Sequence, residues 1–366
     1  MPLYMDIHSA PGVKAKDVAE AHRKDLLHQD EYGCNCMTYW IDEERETIFC
    51  LIDAANKDAV RDMHSKAHGL VPNKIIEVST SIVESFLGRI YDPEGVSMLE
   101  DGLKVFSDPS FRYLLVTKIT DPVLLQHQLG FEKTNELINR HNDVIRKNIS
   151  VNNGSEVEHG GDGFIISFAS AAKAVSAAIA IQRDLPAFDT TLLGFKMGIN
   201  GGEPIEKSNK IFGDTIQFAN YLCAVTNHSQ IAMASVVRDM VIKDLLQNRG
   251  DRFLFLSPQD ESLLRELFGK LEENWQDSDF DIAEYCQAMS MSQSQLYRKT
   301  TTLTGLSCNA LMKDFRLEKA KELMKKNRYS ISQITYESGF TSPSYFTKCF
   351  KKKYGLLPMD YIDLLH

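Results

Sequence analysis

The sequence lacks any apolar run near the roughly 20 residues that a membrane-spanning helix needs. Its N-terminus has no basic segment followed by an apolar stretch, so we expect no secretion signal. Its seven cysteines are an odd number spread along the chain, which disfavours a framework of disulfides. Together these absences predict a cytoplasmic protein with reduced thiols and no membrane partner.

The charge of the chain is spread unevenly. The formal net charge of −9 argues at first against a nucleic acid partner. Residues 290–357, however, hold thirteen Lys and Arg against four acids, a local net charge of +9, so that the remainder carries −18. Such an asymmetry indicates a nucleic-acid-binding module joined to acidic domains.

The C-terminal segment, residues 275–366, contains a first helix-turn-helix pattern. Apolar residues at helical spacing predict a helix over 281–289, and a short polar break follows it. Ser292 is a suitable N-cap for a second helix over 293–302, whose exposed faces are polar and basic.

A second unit repeats this arrangement about fifty residues later. Its first helix is predicted over 331–337, Gly339 supplies the tight turn, and Ser342-Pro343 gives an N-cap followed by proline. An apolar stripe predicts a long connecting helix over 310–326. Two such units can present recognition helices to successive major-groove faces of a DNA duplex.

Short motifs are distributed over roughly ninety residues of this segment, at 292–298, 304–306, 316–323, 334, 338–340, 344–346, 350–352 and 354–358. Their pattern resembles the AraC/XylS family of transcription regulators. The resemblance implies an all-α, double helix-turn-helix domain with double-stranded DNA as its partner.

The exposed positions of the two recognition helices are the candidates for DNA contacts. They are Gln293, Gln295, Arg298 and Lys299 in the first helix, and Ser342, Ser344, Thr347 and Lys348 in the second. Gln can pair with adenine and Arg with guanine, whereas Lys more often contacts phosphate. A structural role, in which Arg298 binds a carboxylate or a helix end, is the open alternative for that residue.

The middle segment, residues 112–242, alternates strands and helices. Strands are predicted over 112–118, 163–168 and 194–199, and helices over 131–150, 171–185 and 215–224. This order favours an α/β or α+β sandwich. The motifs at 158–164, 197–203, 211–216 and 229–231 resemble the class III adenylate/guanylate cyclase domain over about 130 residues.

The resemblance to cyclases also implies that the catalytic residues are incomplete. Cyclase chemistry uses two carboxylates to hold two divalent ions. Asp162 matches one of them, but Lys118 stands at the position of the other. The family's transition-state Asn and Arg fall on Gln217 and Tyr221, and a purine-selecting position falls on Lys210. We therefore expect no cyclase activity.

Two uses remain open for such a domain: dimerisation, in which it would make a homodimer, and nucleotide sensing. Two readings are also open for Lys118, namely an ion pair with Asp162 in place of the metal, or contact with a ligand.

The N-terminal segment has the order βαββαβ. Strands are predicted over 3–8, 34–41, 46–52 and 74–79, and helices over 15–29 and 57–68. This order is typical of a ferredoxin-like domain. The motifs at 4–8, 21–22, 50–51 and 64–69 are similar to a small family of ferredoxin-like proteins, some of which bind nickel.

Histidines in this segment suggest a transition-metal site. His64 and His68 are four residues apart on one predicted helix face, a spacing that lets both hold one ion. His8 and His22 are candidates to converge with them, and Cys50 would add a soft ligand. The alternative is that Cys50 belongs to the core and the histidines are surface groups.

These observations predict a multidomain α+β protein. The boundaries are a ferredoxin-like domain over 1–80, a linker over 81–111, a cyclase-like domain over 112–242, a connector over 243–274 and a DNA-binding domain over 275–366. The predicted function is a sequence-specific transcription regulator that responds to a small-molecule or metal effector. The alternatives are an active cyclase fused to a DNA-binding domain and a metal-responsive regulator.

Overall fold

The computed structural model describes residues 1–96, 98–100, 102–226, 230–241, 252–326 and 328–365. It confirms the mixed fold class, with a β-rich N-terminal domain, a middle domain built on a sheet, and a helical C-terminal domain. Among the described helices, none combines the length and the apolarity needed to cross a membrane.

The N-terminal domain has the predicted βαββαβ order. Its elements are β1 (Leu3–Ser9), α1 (Ala15–His28), β2 (Asn35–Asp42), β3 (Thr47–Asp53), α2 (Lys57–Ala67) and β4 (Lys74–Val78). The strands form an antiparallel sheet in the order β2-β3-β1-β4. Val18 of α1 and Val60 of α2 share one buried cluster with Tyr39 and Ile52 of the sheet, so both helices cover one face.

The other face of this sheet is also buried. Met5, Trp40 and Phe49 pack in one cluster with Phe86 of α3 (Thr80–Leu87) and with Leu114 of the middle domain. The segment predicted as a linker over 81–111 therefore contains a packed helix. The adjoining Arg112 guanidinium donates hydrogen bonds to the carbonyls of residues 86 and 87.

The middle domain carries a six-stranded sheet in the order β10-β9-β8-β5-β7-β6. Its strands are β5 (Arg112–Lys118), β6 (Ser155–Gly160), β7 (Gly163–Phe168), β8 (Lys196–Gly202), β9 (Ile231–Met233) and β10 (Phe253–Phe255). Its helices are α4 (Pro122–Leu129), α5 (Phe131–Val151), α6 (Ala171–Asp184), α7 (Ala187–Leu193), α8 (Gly213–Val225) and α9 (Ser235–Arg238).

Side chains alternate across the central strand β5, as expected for a sheet that is covered on both faces. Tyr113 and Leu115 belong to the large core that also holds residues of α5 and α6. Val116 packs instead with Ala219 and Cys223 of α8. The central strand is thus buried between two layers of helices.

Glycine permits two close backbone approaches in this domain. A Cβ atom at Gly163 would lie 1.9 Å from the carbonyl oxygen of Thr117, and one at Gly198 would lie 2.4 Å from that of Ala219. No larger residue fits either position without moving the backbone. Gly163 thereby lets β7 lie directly against β5 beside Asp162.

The predicted connector over 243–274 falls partly on residues 242–251, which lie outside the described residues, as does the motif residue Ser229. Its described part contains β10, which pairs in parallel with β9 and so extends the sheet of the middle domain. The helix α10 (Pro258–Asn274) follows and buries Leu264, Leu267 and Leu271. The domain boundaries themselves stay predictions.

The C-terminal domain has the predicted double helix-turn-helix order. Its helices are α11 (Ile282–Ala288), α12 (Gln293–Thr304), α13 (Cys308–Lys325), α14 (Ile331–Glu337), α15 (Pro343–Tyr354) and α16 (Pro358–Leu365). Ser292 and Ser342 cap α12 and α15 as expected. Gly339 has φ of +75°, and a Cβ there would lie 2.2 Å from the Trp275 carbonyl oxygen, so the turn requires glycine.

Both helix-turn-helix units share apolar cores with the middle domain. Tyr285 and Leu296 of the first unit belong to the large core of the middle domain. In the second unit, Phe346 and Phe350 form a cluster that includes Leu124 of α4. The helices of both units are consequently docked against the middle domain.

Candidate metal centre and nucleic-acid interface

A buried cluster of metal-ligating side chains joins β1, β3 and α2. Asp6 and His8 are two residues apart on β1 and therefore share a face. Cys50 of β3 is the register partner of Asp6, and His64 projects from α2. One ligand atom from each of these four residues lies within 4.8 Å of the other three.

A second group of possible ligands shares one residue with the first. His64 Nδ1 lies 3.1 Å from both Asp25 Oδ1 and His68 Nε2. His64 Nε2 lies 2.9 Å from Asp6 Oδ2. The Nε2 atom of His64 thus faces the group that contains Asp6, and its Nδ1 atom faces the group formed by Asp25 and His68.

The charges of the cluster are strongly coupled. Burial disfavours a charged imidazole, but Asp6 and Asp25 raise the pKa of His64 to about 10. Burial opposes ionisation of Asp6 as well, yet His8 and His64 lower its pKa well below the usual range. Burial raises the pKa of the Cys50 thiol. A metal ion would displace protons from these groups when it binds.

The donor set fits a transition metal. Imidazole nitrogen, thiol sulfur and carboxylate oxygen together suit nickel, zinc or copper better than magnesium or calcium. Within the described part of the chain, His8 Nδ1 is buried and has no hydrogen-bond partner, so this nitrogen is free to bind a metal ion.

The structure places four of the five predicted metal ligands in these two groups: His8, Cys50 and His64 in the first, and His64 and His68 in the second. His22 is buried beside them and lines the same small cavity, but it belongs to neither ligand group. Its ring lies 5.3 Å from that of Tyr39, and burial lowers its pKa.

Asp6 and Asp25 were not predicted as ligands, because the expected donors were His and Cys alone. The available signal was spacing, since Asp6 lies two residues before His8 on a strand and Asp25 three residues after His22 on a helix. Both aspartates are buried, which is rare for carboxylates without partners.

The cyclase-like positions are divided between two environments. Lys118 Nζ lies 3.4 Å from Asp162 Oδ2, so an ammonium stands beside the matched carboxylate. Tyr221 is buried and stacks on Phe268 of α10 with ring centroids 4.6 Å apart. Lys210 and Gln217 are exposed. Of the two roles considered for Lys118, an ion pair with Asp162 or contact with a ligand, this distance favours the ion pair.

The first recognition helix, α12, exposes all four predicted residues, Gln293, Gln295, Arg298 and Lys299. Gln295 also accepts a hydrogen bond from the Ser292 backbone nitrogen at 3.0 Å, so its amide oxygen is occupied by the helix cap. Arg298 makes no hydrogen bond or ion pair with any residue described. The structural role considered for Arg298 is filled instead by Arg316, whose guanidinium donates hydrogen bonds to the carbonyls of residues 275, 277 and 280.

The second recognition helix, α15, exposes Ser344 and Lys348, whereas Thr347 and the N-cap Ser342 are half-buried. Exposed tyrosines stand among the candidates on both helices: Tyr297 is 56% exposed and Tyr345 is 54% exposed. Neither tyrosine was among the predicted contact residues. Large exposed aromatics on an otherwise polar helix face were the signal for them.

Two family models match this chain at its ends. Residues 285–363 match a family described as "Helix-turn-helix domain". Residues 4–78 match a family described as "Nickel responsive protein SCO4226-like". These matches confirm the family resemblances predicted for the two terminal segments.

Curated relatives are similar to this chain over about a hundred residues. The chain is 37% identical over 106 residues to "Histidine kinase P4" of Formosa agariphila, covering 29% of this chain and 8% of the relative. It is 32% identical over 99 residues to "HTH-type transcriptional regulator MtrA" of Neisseria gonorrhoeae, covering 27% and 31%. The chain thus spans less than a third of either relative.

A solved structure of a bacterial light-regulated adenylyl cyclase aligns with 66% of this chain and 88% of its own, at 13% identity and a TM-score of 0.32. The cyclase-like character of the middle domain stays a prediction.

Proposed function

We propose that this protein is a sequence-specific, DNA-binding transcription regulator. The observation that carries the proposal is the pair of capped helices α12 and α15, whose exposed faces hold Arg298 and Lys348. Neither side chain forms an ion pair or a hydrogen bond with another described residue. Both are therefore available to a nucleic acid, within a segment of net charge +9.

The side chains have different roles in this proposal. Gln293 and Arg298 read base edges in the major groove, since both can make two hydrogen bonds to one base. Lys299 and Lys348 contact phosphates and supply affinity without sequence information. Ser344 and Thr347 make shorter contacts from α15, and Gln295 and Ser342 mainly hold the two helices in position through their caps.

Selection of duplexes from a random pool, followed by fluorescence anisotropy at stated salt, tests this function. We expect the selected duplex to bind at least a thousandfold more tightly than a scrambled one, as specific sites usually do. Equal affinity for the two duplexes would contradict the proposal.

The N-terminal cluster supports a second candidate function, that of a metal-responsive regulator. The residues that would hold the metal are His8, Cys50 and His64, joined by Asp6, or alternatively Asp25, His64 and His68. We propose nickel or another transition metal as the effector. Measuring DNA affinity with and without nickel tests the coupling, and an unchanged affinity argues against it.

The middle domain has a regulatory role in this proposal, without cyclase activity. An ammonium at Lys118 cannot hold a divalent ion while protonated, and it neutralises Asp162 instead. Formation of a cyclic nucleotide from ATP or GTP with manganese would contradict this assignment.

We also propose a homodimer through this domain, because dimers suit repeated half-sites. Light scattering measures the molar mass of the protein in solution, which distinguishes a dimer from a monomer.

We propose a cytoplasmic location for the regulator. Its DNA partner is found there, and all seven cysteines are free thiols in the structure, as a reducing compartment requires.

A further inference from the structure

A cavity of about 620 Å³ lies between the middle domain and the DNA-binding helices. On one side its wall is formed by the ends of β5 and β8 and by residues of α4 and α8. On the other side it is formed by α13 and α15, together with Phe268 of α10. A volume of this size is within the range of small-molecule sites.

Two lysines stand side by side in the wall of the cavity. Lys118 of β5 and Lys196 of β8 are direct partners in the antiparallel register, and both line the cavity. Like charges placed directly opposite each other across two strands are destabilising. Lys118 is neutralised by Asp162 at 3.4 Å. Lys196 forms no ion pair or hydrogen bond with any residue that the structure describes.

The remaining lysines of the wall have acidic partners. Lys321 lies 3.2 Å from Asp121 and 3.0 Å from Glu318. Lys353 lies 3.4 Å from Asp314. Lys196 is thus the wall lysine that forms no ion pair in the described chain, since Glu318, the acid that acts on it at longer range, is already paired with Lys321.

The surroundings make this lysine costly without a partner. Burial lowers the pKa of Lys196, and the nearby Lys353 ammonium adds to this effect, whereas Glu318 opposes it only in part. Apolar side chains form much of the remaining wall: Ile119, Leu124, Cys223, Phe268, Leu311 and Phe315. A charged group in such a setting is stabilised by an opposite charge brought in from outside.

We propose that this cavity binds a small organic molecule that has an apolar body and a single anionic group, with Lys196 as the anion's partner. The four acids of the wall, Asp121, Asp162, Asp314 and Glu318, balance its four lysines, so the cavity has no excess of positive charge to hold a polyphosphate. The ligand class is therefore a monoanion, such as a carboxylate. Because the wall comes from both domains, the bound molecule changes how the DNA-binding helices are held, a consequence that rests on the proposed function.

Two dyes of the same shape test the site in the full-length protein. The probe is 8-anilinonaphthalene-1-sulfonate, and the control is N-phenyl-1-naphthylamine, which lacks the sulfonate. We expect one saturable site for each dye by fluorescence titration. The variant Lys196→Met should weaken binding of the sulfonate dye about tenfold, the loss typical of one charge-assisted contact, and leave the uncharged dye unchanged.

Two further variants locate the site. Ala224→Trp places a large ring at an exposed position of α8 that lines the cavity, so both dyes should bind at least tenfold more weakly. Lys173→Met removes an exposed lysine on α6 and should change neither dye.

The proposal is overturned if Lys196→Met leaves the affinity for the sulfonate dye unchanged, or if Ala224→Trp affects neither dye. The titration contains no DNA, so its outcome is independent of whether the protein binds a promoter.

Discussion

The Lys321 ammonium of the C-terminal domain lies 3.2 Å from the Asp121 carboxylate of the middle domain, and both side chains are buried. The same carboxylate oxygen accepts a hydrogen bond from the Tyr361 hydroxyl at 2.7 Å. The other oxygen of Asp121 accepts from the Val123 backbone nitrogen and so caps α4. One aspartate thereby connects α4 to two helices of the C-terminal domain.

Replacing Asp121 by asparagine should loosen this docking. Asparagine keeps the cap and the size of the side chain, but it leaves Lys321 with Glu318 as its acidic partner. Removing one member of a buried ion pair costs about 3–5 kcal/mol, and the remaining partner should reduce the loss to about 2 kcal/mol. Urea unfolding measures the difference, with the exposed Glu136→Gln as the matched control. Equal losses in both variants would contradict a docking role.

Variants of the histidine cluster should separate the two possible ligand groups. His64→Gln should abolish metal retention because His64 belongs to both groups, whereas Cys50→Ser affects one and His68→Gln the other. Metal content of untagged protein after dialysis against nickel is the measurement. The exposed His127→Gln serves as the control. Retention of metal by His64→Gln would exclude both groups.

Alanine variants of the recognition helices should weaken DNA binding in different ways. Arg298→Ala should cost about 1–3 kcal/mol and relax the preference at one base pair. Lys348→Ala should weaken all duplexes similarly and lower the salt slope by about 1. Anisotropy titrations at several salt concentrations distinguish these outcomes. Lys173→Ala, on a different helix, should behave like the wild type; unchanged binding in the Arg298 and Lys348 variants would exclude the proposed interface.

The buried His141 should make the stability of the middle domain depend on pH. Burial lowers its pKa to about 4 from an ordinary value of 6.5, and neither ring nitrogen has a hydrogen-bond partner among the described residues. Protons therefore bind the unfolded chain more readily. The stability that depends on His141 staying neutral is therefore fully present above pH 6.5, and it is lost as the pH falls towards 4.

The variant His141→Leu tests the effect. It should remove roughly 3 kcal/mol of pH-dependent destabilisation, since each unit of pKa shift corresponds to about 1.4 kcal/mol. The measurement is the difference in unfolding free energy between variant and wild type at pH 7.5 and pH 4.5. A constant difference across that range would show that His141 does not titrate as expected.

Local signals explain which parts of the fold were predictable from the sequence. Ser292 and Ser342 act on backbone groups within three residues, so the helix starts that they cap could be read from the chain. The spacing of His64 and His68 predicted that the two rings meet, as they do at 3.1 Å, although His68 is the C-cap residue after α2 and not part of the helix as expected.

Features that depend on tertiary contacts were not predictable in this way. Asp6 and Asp25 become neighbours of His64 only when β1 and α1 pack against α2. The unpartnered Lys196 is visible only after β8 pairs with β5 and the C-terminal helices close the cavity. The packing of α3 between two sheets likewise depends on residues far apart in sequence.

The position of Leu124 within the core of the second helix-turn-helix unit limits how this protein can be divided. A fragment that starts at residue 275 would lack this side chain and leave Phe350 and its neighbours with a hole in their packing. A hybrid regulator that joins residues 275–366 to a foreign sensory domain would inherit the same defect. Such a hybrid should need α4 as well, grafted together with the helices that it completes.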